Sequence, residues 1–177
     1  MTDFGFDAQR ALDAVRRFAN DAPAQIADGL GRLVRDAPPE RLEQLMLSPA
    51  RKPILDAIFW RIPKQLDSGQ AAGLTASIRW CITGRPDEGI DIYQLEILDG
   101  SCSVVREAEA PDPRLTITLD GVDFLRLVTG NLDPMKAYFR GQIKLVGDVM
   151  VAAKIASLFR IPGGGTGNGN GANGPQP

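Results

Sequence analysis

Four aspartates are the residues whose positions could support general acid–base chemistry: Asp120, Asp123, Asp133 and Asp148. Each stands at the predicted start of a helix, where a carboxylate accepts hydrogen bonds from free backbone N–H groups, and capping accounts for it fully. The chain contains no histidine, which removes the commonest general base, the Ser–His and Cys–His pairs and the commonest metal ligand. The sequence therefore predicts no catalytic residue, no metal site and no cofactor.

Two tyrosines and two cysteines are the remaining candidates for chemistry. Tyr93 and Tyr138 could orient a steroid carbonyl, although Tyr138 is more simply part of an amphipathic core. Cys81 and Cys102 lie 21 residues apart and form no CxxC pair, so a zinc cage is not available, and we expect inert, half-buried thiols. An enzyme that acts on a sterol or an acyl thioester through Asp123 or Tyr138 is the alternative that these residues leave open.

The composition excludes several classes of function. Hydrophobic residues make up 44% of the 177 residues, charged residues make up 24%, and the formal net charge is −2. Nucleic-acid binding would require Lys and Arg massed on one face with interleaved aromatics, so no nucleic-acid partner is expected. The N-terminus has no apolar core of a secretory signal, and no run approaches the roughly 18 apolar residues of a membrane span. The expected location is the cytoplasm.

Residues 1–70 are predicted to form a helical extension. Apolar residues recur at helical spacing on both sides of Pro38-Pro39, and Pro39 can occupy the first turn of a helix. Ser48 is placed to cap the next, longer helix, and Pro63 should kink or end that helix near Ile62. Its apolar stripe is Ile54, Leu55, Ile58, Phe59, Ile62 and Leu66.

From residue 72 the hydrophobic period changes from 3.6 to 2, which indicates strands. Strands are predicted at 75–84, 90–98, 101–107, 114–119 and 142–147, with a hairpin at Asp99-Gly100. Two short helices separate the last two strands, and a closing helix covers 149–159. This order favours an α+β fold, a five-stranded, mostly antiparallel sheet covered by helices over 71–162. A disordered Gly/Asn-rich tail is expected over 163–177.

The segment from Thr116 to Phe159 carries an ordered set of short motifs. They are Thr129-Gly130 at the end of a short helix, Leu132-Asp133-Pro134, Tyr138-Phe139, Gly141, Gly147-Asp148 at the end of a strand, and the apolar helix 149–159. This order and spacing resemble the sterol carrier protein 2 domain family, and the strand pattern from about Leu74 agrees more loosely.

The resemblance implies a sterol carrier protein-like fold with an apolar tunnel between the sheet and the helices. Such a tunnel would hold a fatty acid, acyl-CoA, sterol or phospholipid. Two features differ from the family pattern. Residues 1–70 exceed the single helix that usually precedes the strands, and the C-terminal GPQP lacks the Ser-Lys-Leu type of peroxisomal address that some members carry.

The ligand-binding wall is expected on the first strand, on the helices after the fourth strand and on the final helix. The residues assigned to it are Trp80, Ile82, Phe124, Leu127, Val128, Leu132, Met135, Phe139, Met150, Val151, Ile155, Leu158 and Phe159. These residues would also suit an ordinary core. The final helix is apolar nearly all round, which favours a lipid that covers the face left free by the protein.

A local excess of positive charge lies between residues 49 and 64, where Arg51, Lys52, Arg61 and Lys64 oppose only Asp56. Together with the apolar residues 58–60, it could make transient contact with an anionic membrane surface. An ordinary solvated helix face is the alternative.

The sequence thus leads to one hypothesis and one main alternative. The hypothesis is a non-enzymatic intracellular protein that binds and transfers a lipid. The alternative is an accessory protein–protein interaction or oligomerisation domain whose pocket has collapsed.

Overall fold

The computed structural model describes residues 24–106 and 112–158 of the chain. Its helices are α1 (Ala24–Asp36), α2 (Pro39–Leu47), α3 (Arg51–Arg61), α4 (Gly121–Val128), α5 (Pro134–Phe139) and α6 (Val149–Leu158), with a 3₁₀ helix at Ile62–Gln65. Its strands are β1 (Thr75–Thr83), β2 (Asp91–Leu98), β3 (Ser101–Arg106), β4 (Leu115–Asp120) and β5 (Ile143–Gly147). The predicted helical stretch before residue 24, the predicted tail and Phe159 lie outside the described residues.

The five strands form one mixed sheet in the order β3-β2-β1-β4-β5. The central strands β1 and β4 run parallel, and the other neighbouring strands pair antiparallel. The β2–β3 hairpin turns at Asp99 and Gly100, which both have positive φ, as an Asp-Gly turn requires. The predicted five-stranded, mostly antiparallel sheet is confirmed.

One face of the sheet is apolar and the other is mainly polar, because successive side chains of a strand point to opposite faces. The apolar inner face consists of Ala76, Ile78, Trp80, Ile82, Tyr93, Leu95, Ile97, Leu115, Ile117, Leu119 and Ile143, all of them buried. The polar face carries Ser77, Arg79, Glu96, Thr116 and Thr118.

Helices cover the inner face and bury their apolar stripes in one core with it. The buried helical residues are Ile54, Leu55, Ile58 and Phe59 of α3, Phe124 and Leu125 of α4, and Val151, Ile155 and Leu158 of α6. Each such side chain contributes about 1.5–3 kcal/mol when it leaves water. The helices α1 and α2 contact α4, and the side chain of Asn131 donates to the carbonyl of Gly31 in α1 at 2.9 Å.

The helix starts agree with the predicted capping at three aspartates. The carboxylate of Asp120 accepts from the backbone N–H of Val122 at 2.8 Å, and that of Asp133 accepts from Lys136 at 3.0 Å. Asp148 accepts from Met150 at 3.0 Å. These aspartates therefore begin helices, as the sequence predicts.

The predictions for both ends of α3 are confirmed. The helix ends at Arg61 and gives way to the 3₁₀ helix, as expected from Pro63. At its start, Ser48 has an extended backbone with φ −88° and ψ 165°, and its hydroxyl accepts from the N–H of Ala50 at 3.2 Å, as the predicted N-cap does. The regular helix begins at Arg51, and the same hydroxyl donates to the carbonyl of Leu45 at 2.8 Å.

Gly147 is required by the backbone at the end of β5. Its φ is +112°, a backbone conformation that residues with a Cβ rarely adopt. A Cβ at this position would also collide with the carbonyl oxygen of Arg114. The next residue, Asp148, uses that same carbonyl, to which its N–H donates at 2.8 Å. Gly147 and Asp148 thus connect the start of α6 to Arg114, the residue that precedes β4.

A buried arginine holds α3 against the end of β1. The side chains of Arg51 and Asp91 are 6% and 10% exposed, and their Nε and Oδ2 atoms lie 2.7 Å apart. The guanidinium also donates to the carbonyls of Met46, Ile82, Thr83 and Gly84 at 2.8–3.3 Å. Arg51 was expected on an exposed basic face, and that expectation is wrong because all its donors are occupied inside the fold.

Candidate functional site

An aromatic cluster occupies the centre of the layer between the sheet and the helices. Phe59 of α3 stacks on Tyr93 of β2 with ring centroids 3.9 Å apart, and on Phe124 of α4 at 5.1 Å. Trp80 of β1 meets Phe59 and Phe124 edge-on, at 6.1 and 5.8 Å. Stacked and edge-on pairs at these separations are attractive, so four separate elements meet in one apolar contact.

A cavity of about 180 Å³ opens beside this cluster, between α3 and the β2–β3 edge of the sheet. It is lined by Asp56, Phe59, Trp60, Tyr93 and Val104. The Tyr93 hydroxyl donates to Asp56 at 2.8 Å, while Trp60 is 66% exposed. Sites for small molecules commonly enclose about 300–1,000 Å³, so this cavity is too small for a whole lipid.

A second concave surface follows the 3₁₀ helix, is lined by residues 64–68 and has a volume of about 350 Å³. Neither cavity is lined by α6. The hollow predicted beneath the closing helix is therefore not one of these two spaces.

The structure divides the predicted ligand-binding residues into three groups. Trp80, Ile82, Phe124, Val151, Ile155 and Leu158 are buried in the core, and Leu127, Val128 and Leu132 pack partly buried against it. Met135, Phe139 and Met150 are 62%, 78% and 68% exposed. Phe159 lies outside the described part of the chain. The first two groups share one core, whereas the third lies at the surface of α5 and α6.

The ligand-binding wall assigned from the sequence omitted Phe59, Tyr93 and Val104, although Tyr93 was considered as a group that could orient a steroid carbonyl. The signal for Tyr93 was present, since Tyr93, Leu95 and Ile97 alternate with polar residues and therefore share the apolar face of their strand. In the sheet Tyr93 pairs with Trp80. The contact between Phe59 and Phe124 joins residues 65 positions apart, and no local pattern predicts it.

Cys102 on β3 and Asp148 at the start of α6 have shifted pKa values. Burial, together with the neighbouring Glu96 carboxylate, raises the pKa of the Cys102 thiol to about 11, so the thiol stays protonated and unreactive at neutral pH, as expected from the sequence. Hydrogen bonds from Val151, Arg114 and Met150 hold the pKa of Asp148 below its usual value. The cap of α6 therefore keeps its charge in mildly acidic solution.

Within residues 24–106 and 112–158, no group of three or more His, Cys, Asp or Glu side chains could hold a metal ion. In the same residues, no helix has the length and apolarity needed to cross a membrane.

The fold and the aromatic core define an α+β module in which a mixed sheet and its covering helices enclose an apolar layer. The family model of the SCP-2 sterol transfer family matches residues 55–160. The chain belongs to this family.

Curated relatives share sequence with the chain, and a solved structure shares its fold. The chain is 26% identical over 160 residues to peroxisomal multifunctional enzyme A of Dictyostelium discoideum, a match that covers 86% of this chain and 35% of that protein. It is 42% identical over 71 residues to human (Homo sapiens) sterol carrier protein 2, with 40% of this chain and 13% of that protein covered. The sec-alkylsulfatase Pisa1 from Pseudomonas sp. shares the fold with a TM-score of 0.52 and 21% identity, over 59% of this chain and 16% of that one. The chain thus spans about a third or less of the length of each relative.

Proposed function

We propose that this protein binds and transfers a lipid and performs no chemistry on it. Membership of the SCP-2 sterol transfer family, on a match that includes α4, β5 and α6, carries the proposal. The ligand proposed from the sequence is a fatty acid, acyl-CoA, sterol or phospholipid, and the proposed location is the cytoplasm. The division of the chain at residues 71 and 163 stays a prediction; the family match itself begins at residue 55, within α3.

The size of the cavity implies that the site must open to accept a lipid. A chain of about 15 methylenes would release roughly 12 kcal/mol on leaving water, at ~0.8 kcal/mol per methylene. Transfer of the same chain from water into a bilayer releases about as much free energy. The protein therefore needs only to bind the lipid about as favourably as the membrane does and to keep it out of water during transfer. Because a cavity of about 180 Å³ cannot hold such a chain, core side chains must move apart. Phe59 lines the cavity and stacks on Phe124, one of the buried residues predicted to line the site, and we infer that these two rings separate first.

The direct test is a search for bound lipid. Purified protein is denatured and extracted for mass spectrometry, and the refolded protein is titrated with a fluorescent fatty acid. We expect co-purified lipid and one saturable binding site. Absence of both lipid and saturable binding would refute the proposal.

A second candidate function is supported by the exposed apolar side chains of α5 and α6. Met135, Phe139, Val149 and Met150 are each 58–78% exposed, and both helices contact β5. Exposed apolar side chains that cluster on a surface often mark an interaction site. An accessory or oligomerisation domain with a collapsed pocket would use them as a contact surface. A concentration-dependent dimer in sedimentation velocity, together with failure to bind the fluorescent fatty acid, would favour this function over lipid transfer.

Membrane contact through residues 49–64 stays part of the proposal, with a smaller set of charges because Arg51 is buried. Lys52 has a side chain that is 65% exposed, Lys64 is exposed, and Trp60 lies between them at 66% exposure. Each basic residue near an anionic surface contributes about 1 kcal/mol. The double variant Lys52→Glu, Lys64→Glu should therefore bind phosphatidylserine vesicles at least tenfold more weakly at low salt, as measured by vesicle co-sedimentation.

Lys144→Glu provides the matched control, since Lys144 is exposed on β5 and lies outside the segment. This control should sediment with vesicles like the wild-type protein. Equal losses in the control and in the double variant would contradict a specific contact through residues 49–64.

A further inference from the structure

One buried polar group in the inner layer has no hydrogen-bond partner. The indole Nε1 of Trp80 is enclosed by protein and finds no acceptor among the described residues, although Trp80 is only 7% exposed. Buried tryptophan N–H groups usually have an acceptor, because an unmade hydrogen bond in a dry interior costs free energy. The indole N–H is therefore a hydrogen-bond donor that has no acceptor among the described residues.

The surroundings of the Trp80 ring are apolar. On the sheet it lies between Tyr93 of β2 and Ile117 of β4, and Phe59 and Phe124 meet it edge-on from the helices. An N–H group that faced one of these rings would gain only a weak contact. A ligand oxygen that reached this layer would gain a hydrogen bond that no other group competes for.

The charge around Trp80 decides which kind of oxygen suits it. Its inner-face neighbours on β1, Ile78 and Ile82, are fully buried and apolar. The guanidinium of Arg51 is already engaged by Asp91 and by backbone carbonyls. An ionised carboxylate would lose its hydration here without a compensating cation from Arg51. An uncharged hydroxyl or carbonyl oxygen loses much less hydration free energy when it is buried.

We propose that the Trp80 indole N–H donates a hydrogen bond to an uncharged oxygen of the bound lipid, a hydroxyl or a carbonyl. This bond orients the lipid in the apolar layer and selects oxygenated lipids over hydrocarbons. The inference rests on the proposed lipid-binding function and deepens it, since it names the polar contact and the ligand class.

The experiment compares two probes that differ by one oxygen, hexadecan-1-ol and hexadecane, as competitors of a fluorescent fatty acid. Trp80→Phe removes the N–H and keeps an aromatic ring. Trp60→Phe, at the exposed tryptophan that lines the cavity, is the reference protein for a second variant at position 80. In the Trp60→Phe background, incorporation of β-(3-benzothienyl)alanine in place of tryptophan exchanges the N–H of position 80 for sulfur with almost no change of shape. This second variant separates the hydrogen bond from ring packing.

We expect both changes at position 80 to weaken hexadecan-1-ol binding about five- to tenfold, the effect of one buried neutral hydrogen bond, with hexadecane unchanged in the benzothienyl protein. The benzothienyl protein is compared with Trp60→Phe, so any effect of position 60 on either affinity cancels in the comparison. An unchanged ratio of the two affinities in the benzothienyl protein would overturn the inference and leave lipid binding intact. Failure of the wild-type protein to bind either probe or the fluorescent fatty acid would overturn the proposed function itself.

Discussion

Replacement of Arg51 by alanine should lower the free energy of unfolding by about 3–5 kcal/mol, the usual effect of breaking a buried ion pair. The variant leaves the Asp91 carboxylate, 10% exposed, without its closest cation, and it frees the carbonyls that Arg51 binds at the end of β1. Arg85 lies 3.3 Å from the same carboxylate but is itself partly exposed, so it compensates only in part. Urea denaturation followed by circular dichroism measures the change.

Two further variants identify the cause of this loss. Lys52 follows Arg51 in α3, and its exposed ammonium lies 3.7 Å from the carboxylate of Asp56. Lys52→Ala removes this surface ion pair and should lower the free energy of unfolding by at most about 1 kcal/mol. Asp91→Asn should also destabilise the fold, and the Arg51→Ala, Asp91→Asn double variant should lose less than the sum of the two single variants. If the two losses simply add, the ion pair does not hold α3 to the sheet.

Much of the fold could be predicted from the sequence because its signals are local. The two-residue alternation in β1 and β4 gives the inner face directly, since each strand has one buried side. Asp120, Asp133 and Asp148 mark helix starts through bonds to N–H groups two or three residues away. Gly147 is also a local signal, because its own φ of +112° favours glycine at the end of β5.

The features that could not be predicted depend on residues far apart in the chain. Arg51 and Asp91 are 40 positions apart, and a helical stretch with basic residues gives no sign that one of them is buried. The parallel pairing of β1 with β4 places Trp80 beside Ile117. The β2–β3 hairpin separates these two strands in the chain and lies on the other side of β1 in the sheet, so no local pattern predicts the pairing. The exposure of Phe139 is a further case, since an aromatic residue in an apolar helix ordinarily predicts burial.

Phe124→Ala should lower the free energy of unfolding by about 3–5 kcal/mol without ligand, because it removes a fully buried ring from the core and leaves a cavity. If the lipid chain occupies the space that this ring holds against Phe59 and Trp80, the same variant should bind a C16 fatty acid about tenfold more tightly. The ring would then no longer have to be displaced before the ligand enters. Each tenfold gain in affinity restores about 1.4 kcal/mol of stability when the ligand is in excess.

Leu42→Ala gives the comparison that decides the role of Phe124. Leu42 is 3% exposed on α2 and has no part in the aromatic cluster, so its loss should cost about 2–5 kcal/mol and leave the affinity for the fatty acid unchanged. Isothermal titration and urea denaturation with and without fatty acid provide both quantities, and Phe124→Leu gives a milder variant that should still fold. If Phe124→Ala loses stability as Leu42→Ala does and its affinity does not rise, Phe124 packs the core and the lipid lies elsewhere. A gain confined to Phe124 would place the lipid chain between α4 and the sheet, next to the ring of Trp80.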